Sequence, residues 1–150
     1  MGHDNAFGIS IKNSYLAEFH KIANQELNNI DFGENVYVVD FERYITDNLY
    51  DLICDLTNYE NVWGQQNPES TIAVKNIIIR SNDIQIIGRN SDTLKIEKNG
   101  IVFIKFFAKD LIKELKQFEE MELTIIGTPN LNEWMGKVTP QLFIKDMEVK

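Results

Sequence analysis

The 150-residue sequence is 43% hydrophobic and 25% charged, a balance typical of a globular protein of one domain or of one domain plus a fragment. It has no apolar run near the roughly 20 residues of a membrane-spanning helix and no signal-like start, so we expect a cytoplasmic protein without a membrane partner. The net charge of −8 argues against a uniformly basic surface, and the single cysteine, Cys54, excludes a disulfide framework and is expected to be a buried structural thiol.

Charge is unevenly distributed along the chain. Residues 1–70 carry three Lys and Arg against twelve Asp and Glu, a net charge of −9. Residues 71–109 carry seven against three, a net charge of +4. Because phosphate binding needs clustered cations, an anion-binding surface is expected within 71–109.

The first 58 residues predict two strand-then-helix pairs. Alternating apolar residues predict a strand over 6–12, and Asn13 or Ser14 is placed to cap the helix that follows. A second apolar strand is predicted over 36–41. A helix then begins near Thr46 or Asp47, with its inward residues at helical spacing. These inward residues are Leu49, Leu52, Ile53 and Leu56.

The segment 59–70 is rich in Asn, Gln, Glu and Pro and predicts a loop between two domains. Its Trp63 indicates that this loop is docked on a neighbouring surface. The expected organisation is therefore a first part over 1–58, a linker over 59–70 and a second domain over 71–150.

The second domain predicts four strands, one helix and two further strands. The strands fall near 72–79, 84–87, 93–97 and 101–106, the helix over 108–118 with Leu111, Ile112, Leu115 and Phe118 inward, and the last strands over 122–126 and from 142 onward. A shift in alternation within the first strand indicates a β-bulge, and Asn99-Gly100 is typical of a type I′ hairpin turn. This order predicts an α+β protein whose second domain is an antiparallel barrel of the oligonucleotide-binding (OB) type. A plain α+β sandwich without a ligand is the alternative.

The tail carries Trp134 in a predicted loop between the last two strands, after a polar turn at Gly127-Thr128-Pro129-Asn130. An indole on a loop has a face on which a base can stack, whereas most Trp residues pack in a core. Both interpretations stay open here: a base-stacking side chain, or a plug over one end of the barrel.

The sequence offers few residues for catalysis. His3 and His20 are its only imidazoles, and no phosphate-binding loop, dinucleotide fingerprint or nucleophile elbow occurs. We therefore expect no metal site and no self-contained activity in this chain. Gly2, His3 and Gly8 form a flexible glycine-rich start that suits a phosphate, although a vector-derived Met-Gly-His is an equal alternative.

Three blocks of the sequence resemble a known family. Gly2-His3-x-x-Ala6-x-Gly8 resembles a motif of the DHH-associated domain of the DHH phosphoesterase superfamily. Trp63 to Glu69 resembles the segment that joins this domain to an OB domain in RecJ-type single-strand DNA exonucleases. Asn132 to Gly136 with Pro140-Gln141-Leu142 resembles the closing block of the same OB domain. Met1, Gln66 and Ser70 depart from these motifs.

The resemblance implies the C-terminal portion of a Mn²⁺-dependent (or Mg²⁺-dependent) 5′-to-3′ exonuclease, starting within the DHH-associated domain and lacking the DHH catalytic domain. In this setting His3 and Gly2 would contact the phosphate near the scissile bond, and the OB domain would bind single-stranded DNA for repair or recombination. The expected DNA-binding residues are Lys75, Arg80, Arg89, Lys95, Lys105, Phe106, Asn132 and Trp134.

A second hypothesis assigns the OB domain to protein contact, with a helicase or a single-strand-binding protein as partner. Acidic side chains of the first part would suit a basic partner. They are Asp40, Glu42, Asp47, Asp51 and Asp55.

Overall fold

The computed structural model describes residues 9–28, 36–64 and 66–150, which fall into two compact units, Met1–Tyr37 and Val38–Lys150. In the first unit, a 3₁₀ turn at Asn13–Tyr15 leads into helix α1, Leu16–Leu27. The predicted helix is therefore confirmed. The predicted strand over 6–12 is wrong over 9–12, which has no regular structure. Residues 6–8 of that strand, like Gly2 and His3, lie outside the described residues.

The second unit holds seven strands and two helices. In chain order they are β1 (Phe41–Tyr44), α2 (Leu49–Thr57), β2 (Ile72–Arg80), β3 (Ile84–Ile87), β4 (Thr93–Lys98), β5 (Ile101–Lys105), α3 (Lys109–Leu115), β6 (Glu120–Trp134) and β7 (Lys137–Val149). Short 3₁₀ turns lie at Glu60–Val62 and Ser81–Asp83. No helix of the described residues is both long enough and apolar enough to span a membrane.

All seven strands form one sheet in the order β1-β2-β6-β7-β5-β4-β3. Only the three residues Ser81–Asp83 join β2 to β3, although four strands separate them in the sheet. In a flat sheet the two strands would be about 24 Å apart. A link of this length spans at most about 14 Å. The sheet therefore curls back on itself, and with a helix between β5 and β6 it forms the predicted OB-like fold.

The sheet is mixed and not purely antiparallel, which corrects the sequence-based expectation. β1 pairs with β2 in parallel, and so does β5 with β7. β5 and β7 can run parallel because the chain between them, through α3 and β6, is long enough to return to the end of the sheet from which β5 starts.

Two local predictions are confirmed by the backbone. The register of β2 shifts between Val74 and Ile77, and Asn76 between them has a φ of 59°, so the bulge keeps both flanking side chains buried. Asn99 and Gly100 have φ values of 50° and 78°, as a type I′ turn requires.

The predicted turn and loop in the tail are wrong. Gly127 to Asn130 lie within β6, which pairs with β7 in one long hairpin closed by Met135 and Gly136. A β-bulge falls between Ile126 and Gly127, and a Cβ atom at Gly127 would lie 2.6 Å from the carbonyl oxygen of Phe143. The glycine is therefore needed for the close approach of two strands and not for a turn.

Residues 38–58 belong to the second unit and pack with the rest of it. The predicted strand over 36–41 is wrong for residues 36–40, which have no strand structure; the strand β1 occupies Phe41–Tyr44 and hydrogen-bonds to β2. Helix α2 starts at Leu49 after Asn48, whose side chain accepts a hydrogen bond from the Asp51 amide. The division into compact units thus falls at Tyr37/Val38, earlier than the segment 59–70 that the sequence indicated.

A single apolar core joins both helices of the second unit to the sheet. Ile53 of α2, Leu115 of α3 and Phe103 of β5 are fully buried in it. Leu111 packs against the core from its edge, whereas Phe118, expected inward, is 44% exposed because α3 ends three residues earlier. Cys54 is half-buried.

Candidate nucleic-acid interface

The outer surface of β4, β5 and β7 carries one continuous row of side chains. Strand pairing places Lys95 opposite Ile104, and Ile104 opposite Phe143. Directly paired residues point to the same side of a sheet. The neighbouring positions Phe103 and Leu142 are fully buried in the core, so the row lies on the opposite side of the sheet, where Lys95 and Phe143 are half-buried and Ile104 between them is buried. We call this surface, with the adjoining Phe106, the β4–β5–β7 face.

Two aromatic side chains dominate this face. The rings of Phe106 and Phe143 meet edge to face, with their centroids 5.6 Å apart and an interplanar angle of 61°. Phe106 is 52% exposed and Phe143 half-buried, so the pair presents ring surface to solvent while it is held in place. Exposed ring surface of this kind is one on which a nucleic-acid base can stack.

Trp134 lies at the tip of the β6–β7 hairpin, next to the two-residue turn at Met135 and Gly136. Trp134 is 70% exposed, so it neither packs in the core that the described residues form nor plugs the barrel. Asn132, two residues earlier on the same strand, is also exposed and points to the same side. These two predicted site residues are therefore brought together.

Arg89 lies in the exposed turn between β3 and β4 and forms no ion pair with any described residue. The register puts this turn at the end of the β4–β5–β7 face near Lys105, whereas the hairpin tip with Trp134 lies beyond the opposite end. The two turns are about nine residue steps apart, or roughly 30 Å along the strands. They flank the face and do not converge on one point.

The other predicted cations are engaged by protein groups. Lys75 Nζ lies 2.7 Å from Glu42 Oε2, and this hydrogen bond raises the pKa of Lys75. Arg80 Nε lies 3.1 Å from Glu120 Oε2. Both cations belong to β2, which β6 separates from β7 in the sheet order, so neither lies on the β4–β5–β7 face.

The two lysines of β4 and β5 differ in their surroundings. Lys95 Nζ is 3.7 Å from Glu97 Oε2, which is a loose ion pair, and Lys95 lies on the β4–β5–β7 face. Lys105 Nζ donates hydrogen bonds to the carbonyl oxygens of Ile144 and Lys145, at 3.3 and 2.8 Å. Its role is thus to tie β5 to β7, and only Arg89 and Lys95 of the five predicted cations remain suited to phosphate.

Most of the acidic residues considered for protein contact serve the local fold. Asp40 Oδ2 accepts hydrogen bonds from the amide and hydroxyl of Thr71, at 2.7 and 3.1 Å. Asp47 Oδ2 accepts one from the Tyr44 amide at 2.8 Å, and Glu42 pairs with Lys75. Asp51 and Asp55 stay exposed on α2.

Sequence reasoning missed Phe143. It stands between the buried Leu142 and Ile144, and this alternation is a signal for an outward-facing position on a strand. Trp63 was expected to be docked, and it is half-buried beside Phe143 at a cleft.

In the described part of the chain, no group of three or more His, Cys, Asp or Glu is arranged to hold a metal ion.

The curled sheet, the helix between β5 and β6 and the exposed aromatic face define an OB-type domain. Residues 39–146 match the model of the RecJ OB domain family, and the chain belongs to that family. It is 30% identical over 151 residues to the putative SPbeta prophage-derived single-strand DNA-specific exonuclease YorK of Bacillus subtilis (strain 168), covering 99% of this chain and 26% of YorK.

A second relative and one solved structure also match most of this chain. The chain is 26% identical over 156 residues to the single-stranded-DNA-specific exonuclease RecJ of Bacillus subtilis (strain 168), covering 99% of this chain and 19% of RecJ. The crystal structure of RecJ in complex with Mn²⁺ from Thermus thermophilus shares the fold, with a TM-score of 0.62 and 14% identity over 94% of this chain and 20% of that one. The chain thus spans about a quarter or less of the length of these relatives.

Proposed function

We propose that this chain is the substrate-binding portion of a RecJ-like 5′-to-3′ single-strand DNA exonuclease, which acts in the cytoplasm in DNA repair or recombination. The chain holds single-stranded DNA and guides it to a metal-dependent DHH domain outside this sequence, where Mn²⁺ or Mg²⁺ supplies the catalysis. His3 and Gly2 contact the phosphate near the scissile bond. The chain by itself does not cleave DNA.

The observation that carries this proposal is the pair of aromatic rings, one exposed and one half-buried, on the same side of the sheet as a cation. Phe106 and Phe143 form a fixed pair on the β4–β5–β7 face, and Lys95 lies in the same row. Trp134 adds a further stacking surface beyond one end of the face, where its indole is 70% exposed. Stacking is worth about 1–3 kcal/mol per base, so two or three platforms suffice for binding with few phosphate contacts.

The first test is Trp134→Ala. Because the side chain is exposed, the melting temperature should change little, while affinity for a labelled single-stranded oligonucleotide should fall by roughly fivefold or more as one stacked base is lost. Tyr50→Ala is the matched control, since Tyr50 is a 48% exposed aromatic on α2. Unchanged affinity in Trp134→Ala, equal to that of the control, would remove Trp134 from the binding surface.

Docking of a helicase or a single-strand-binding protein is a second candidate function. Asp51 and Asp55 favour it, because they lie one helical turn apart on the exposed side of α2. It ranks second because most of the acidic residues proposed for such a contact are engaged within the fold. Asp51 Oδ2 accepts a hydrogen bond from the Asn48 side-chain amide, and Asp40, Glu42 and Asp47 take part in hydrogen bonds or an ion pair.

A further inference from the structure

A cleft of about 520 Å³ opens beside the β4–β5–β7 face. One wall is the loop after α2, which contributes Glu60, Trp63 and Glu69, and the other comes from Asn130 of β6 and Phe143 of β7. Phe143 belongs to both the cleft and the aromatic pair, so a strand lying along the face passes the mouth of the cleft.

The loop wall is held in a fixed conformation. The Trp63 amide donates to the Glu60 carbonyl at 3.2 Å, and Gly64 and Asn67 exchange two backbone hydrogen bonds at 2.7 and 3.1 Å. The Asn67 side chain donates to the Val62 carbonyl at 3.0 Å. These bonds hold the backbone on both sides of Trp63, which lowers the entropic cost of ordering this wall when a ligand binds.

The chemistry of the cleft differs from that of a phosphate site. Among the described residues that line it there is no Lys, Arg or His, and neither Glu60 nor Glu69 forms an ion pair there. Two unpaired carboxylates repel phosphate and accept hydrogen bonds from N–H groups. Aromatic walls at Trp63 and Phe143 suit a flat ring, and the Asn130 amide supplies a further donor and acceptor.

We propose that this cleft takes one unstacked base of the bound strand and favours bases with an exocyclic amino group, cytosine above all, over thymine. A carboxylate accepts a hydrogen bond from the cytosine N4 amino group, whereas thymine presents carbonyl oxygen O4 at the same position. The sugar and phosphate stay outside the cleft, away from Glu60 and Glu69. This inference rests on the proposed function, because the base belongs to the DNA held on the β4–β5–β7 face.

The test compares oligo(dC) with oligo(dT) of equal length, which carry the same charge, so that phosphate contacts cancel in the ratio of affinities. The native chain should bind oligo(dC) roughly tenfold more tightly. In the double variant Glu60→Ala, Glu69→Ala both side-chain acceptors are removed, so the preference should fall towards one, without loss of oligo(dT) binding. Both side chains are exposed, so the melting temperature should not change. Glu114→Ala removes one exposed carboxylate on α3 and should leave the preference intact.

The outcomes separate this inference from the proposed function. Equal binding of the two oligonucleotides, or a preference that survives the double variant, overturns the base pocket but leaves DNA binding in place. No binding of either oligonucleotide at low salt overturns both. Binding of an oligo-arginine peptide that needs Glu60 and Glu69, with oligonucleotide preference unaffected by the double variant, assigns the cleft to a basic protein and overturns the inference.

Discussion

At the scale of single residues, the side chains proposed for DNA binding divide by what already contacts them. Trp134, Arg89 and Asn132 are exposed and available, and Lys95 has only a loose partner. Lys75, Arg80 and Lys105 are committed to neighbouring strands. The sequence predicted phosphate-binding cations within 71–109, but it could not reveal which of them are paired with acidic or carbonyl groups, because most of these partners are distant in the chain.

Lys105 is expected to act in stability and not in DNA binding. Lys105→Met keeps the aliphatic stem but removes two hydrogen bonds to the carbonyl groups of β7, which should lower the free energy of unfolding by about 1 kcal/mol. Urea unfolding measures this loss. Lys145→Met removes the same charge nearby and serves as the control. If Lys105→Met weakened oligonucleotide binding more than the control did, with unchanged stability, Lys105 would be a phosphate ligand instead.

Gly127 is expected to be indispensable for the β6–β7 pairing. Gly127→Ala would place a Cβ atom 2.6 Å from the Phe143 carbonyl oxygen and 3.0 Å from the Leu142 side chain. The strands must then shift, at a cost of roughly 1–3 kcal/mol, and the melting temperature should fall. Gly64→Ala is the matched control, because a Cβ there meets nothing within 4 Å. Equal melting temperatures for the two variants would contradict this account of the close approach.

At the scale of elements, prediction was accurate where the signal is local. The bulge in β2 and the Asn99-Gly100 turn depend on a few consecutive residues, and both were recognised. The tail was misread because Gly127 and Pro129 resemble turn residues, whereas the long hairpin is set by pairing with β7. The same reason explains the parallel pairs: strand direction depends on partners that local patterning does not encode.

Helix α2 is expected to belong to the barrel core and not to a separate preceding domain. Ile53 is fully buried in the same cluster as Phe103, so Ile53→Ala should lower the free energy of unfolding by about 2–5 kcal/mol. Thermal unfolding should show one transition that shifts as a whole. In Tyr50→Ala, on the exposed side of the same helix, the shift should be within about 0.5 kcal/mol. If Ile53→Ala left the thermal unfolding transition of the barrel unchanged, α2 would not be part of the barrel core.

At the scale of the whole molecule, a net charge of −8 and an aromatic binding face point to binding that relies on stacking more than on phosphate neutralisation. The family was recognisable from three short motifs, because closing blocks and joints between domains are contiguous in sequence, and the fold class was predicted from the order of strands and helix. The β4–β5–β7 face was not recognisable from the sequence, since it is assembled from Lys95, Phe106 and Phe143 on three separate segments.

The most direct test of the central claim is the affinity of this chain for a single-stranded oligonucleotide measured between about 50 and 200 mM salt. With Arg89 and Lys95 as the phosphate ligands among the five predicted cations, the affinity should fall by only about sevenfold over this range, since each contact contributes a slope near −0.7. Measurable binding at low salt with this shallow slope is the predicted result. Absence of binding at 50 mM salt would contradict the account.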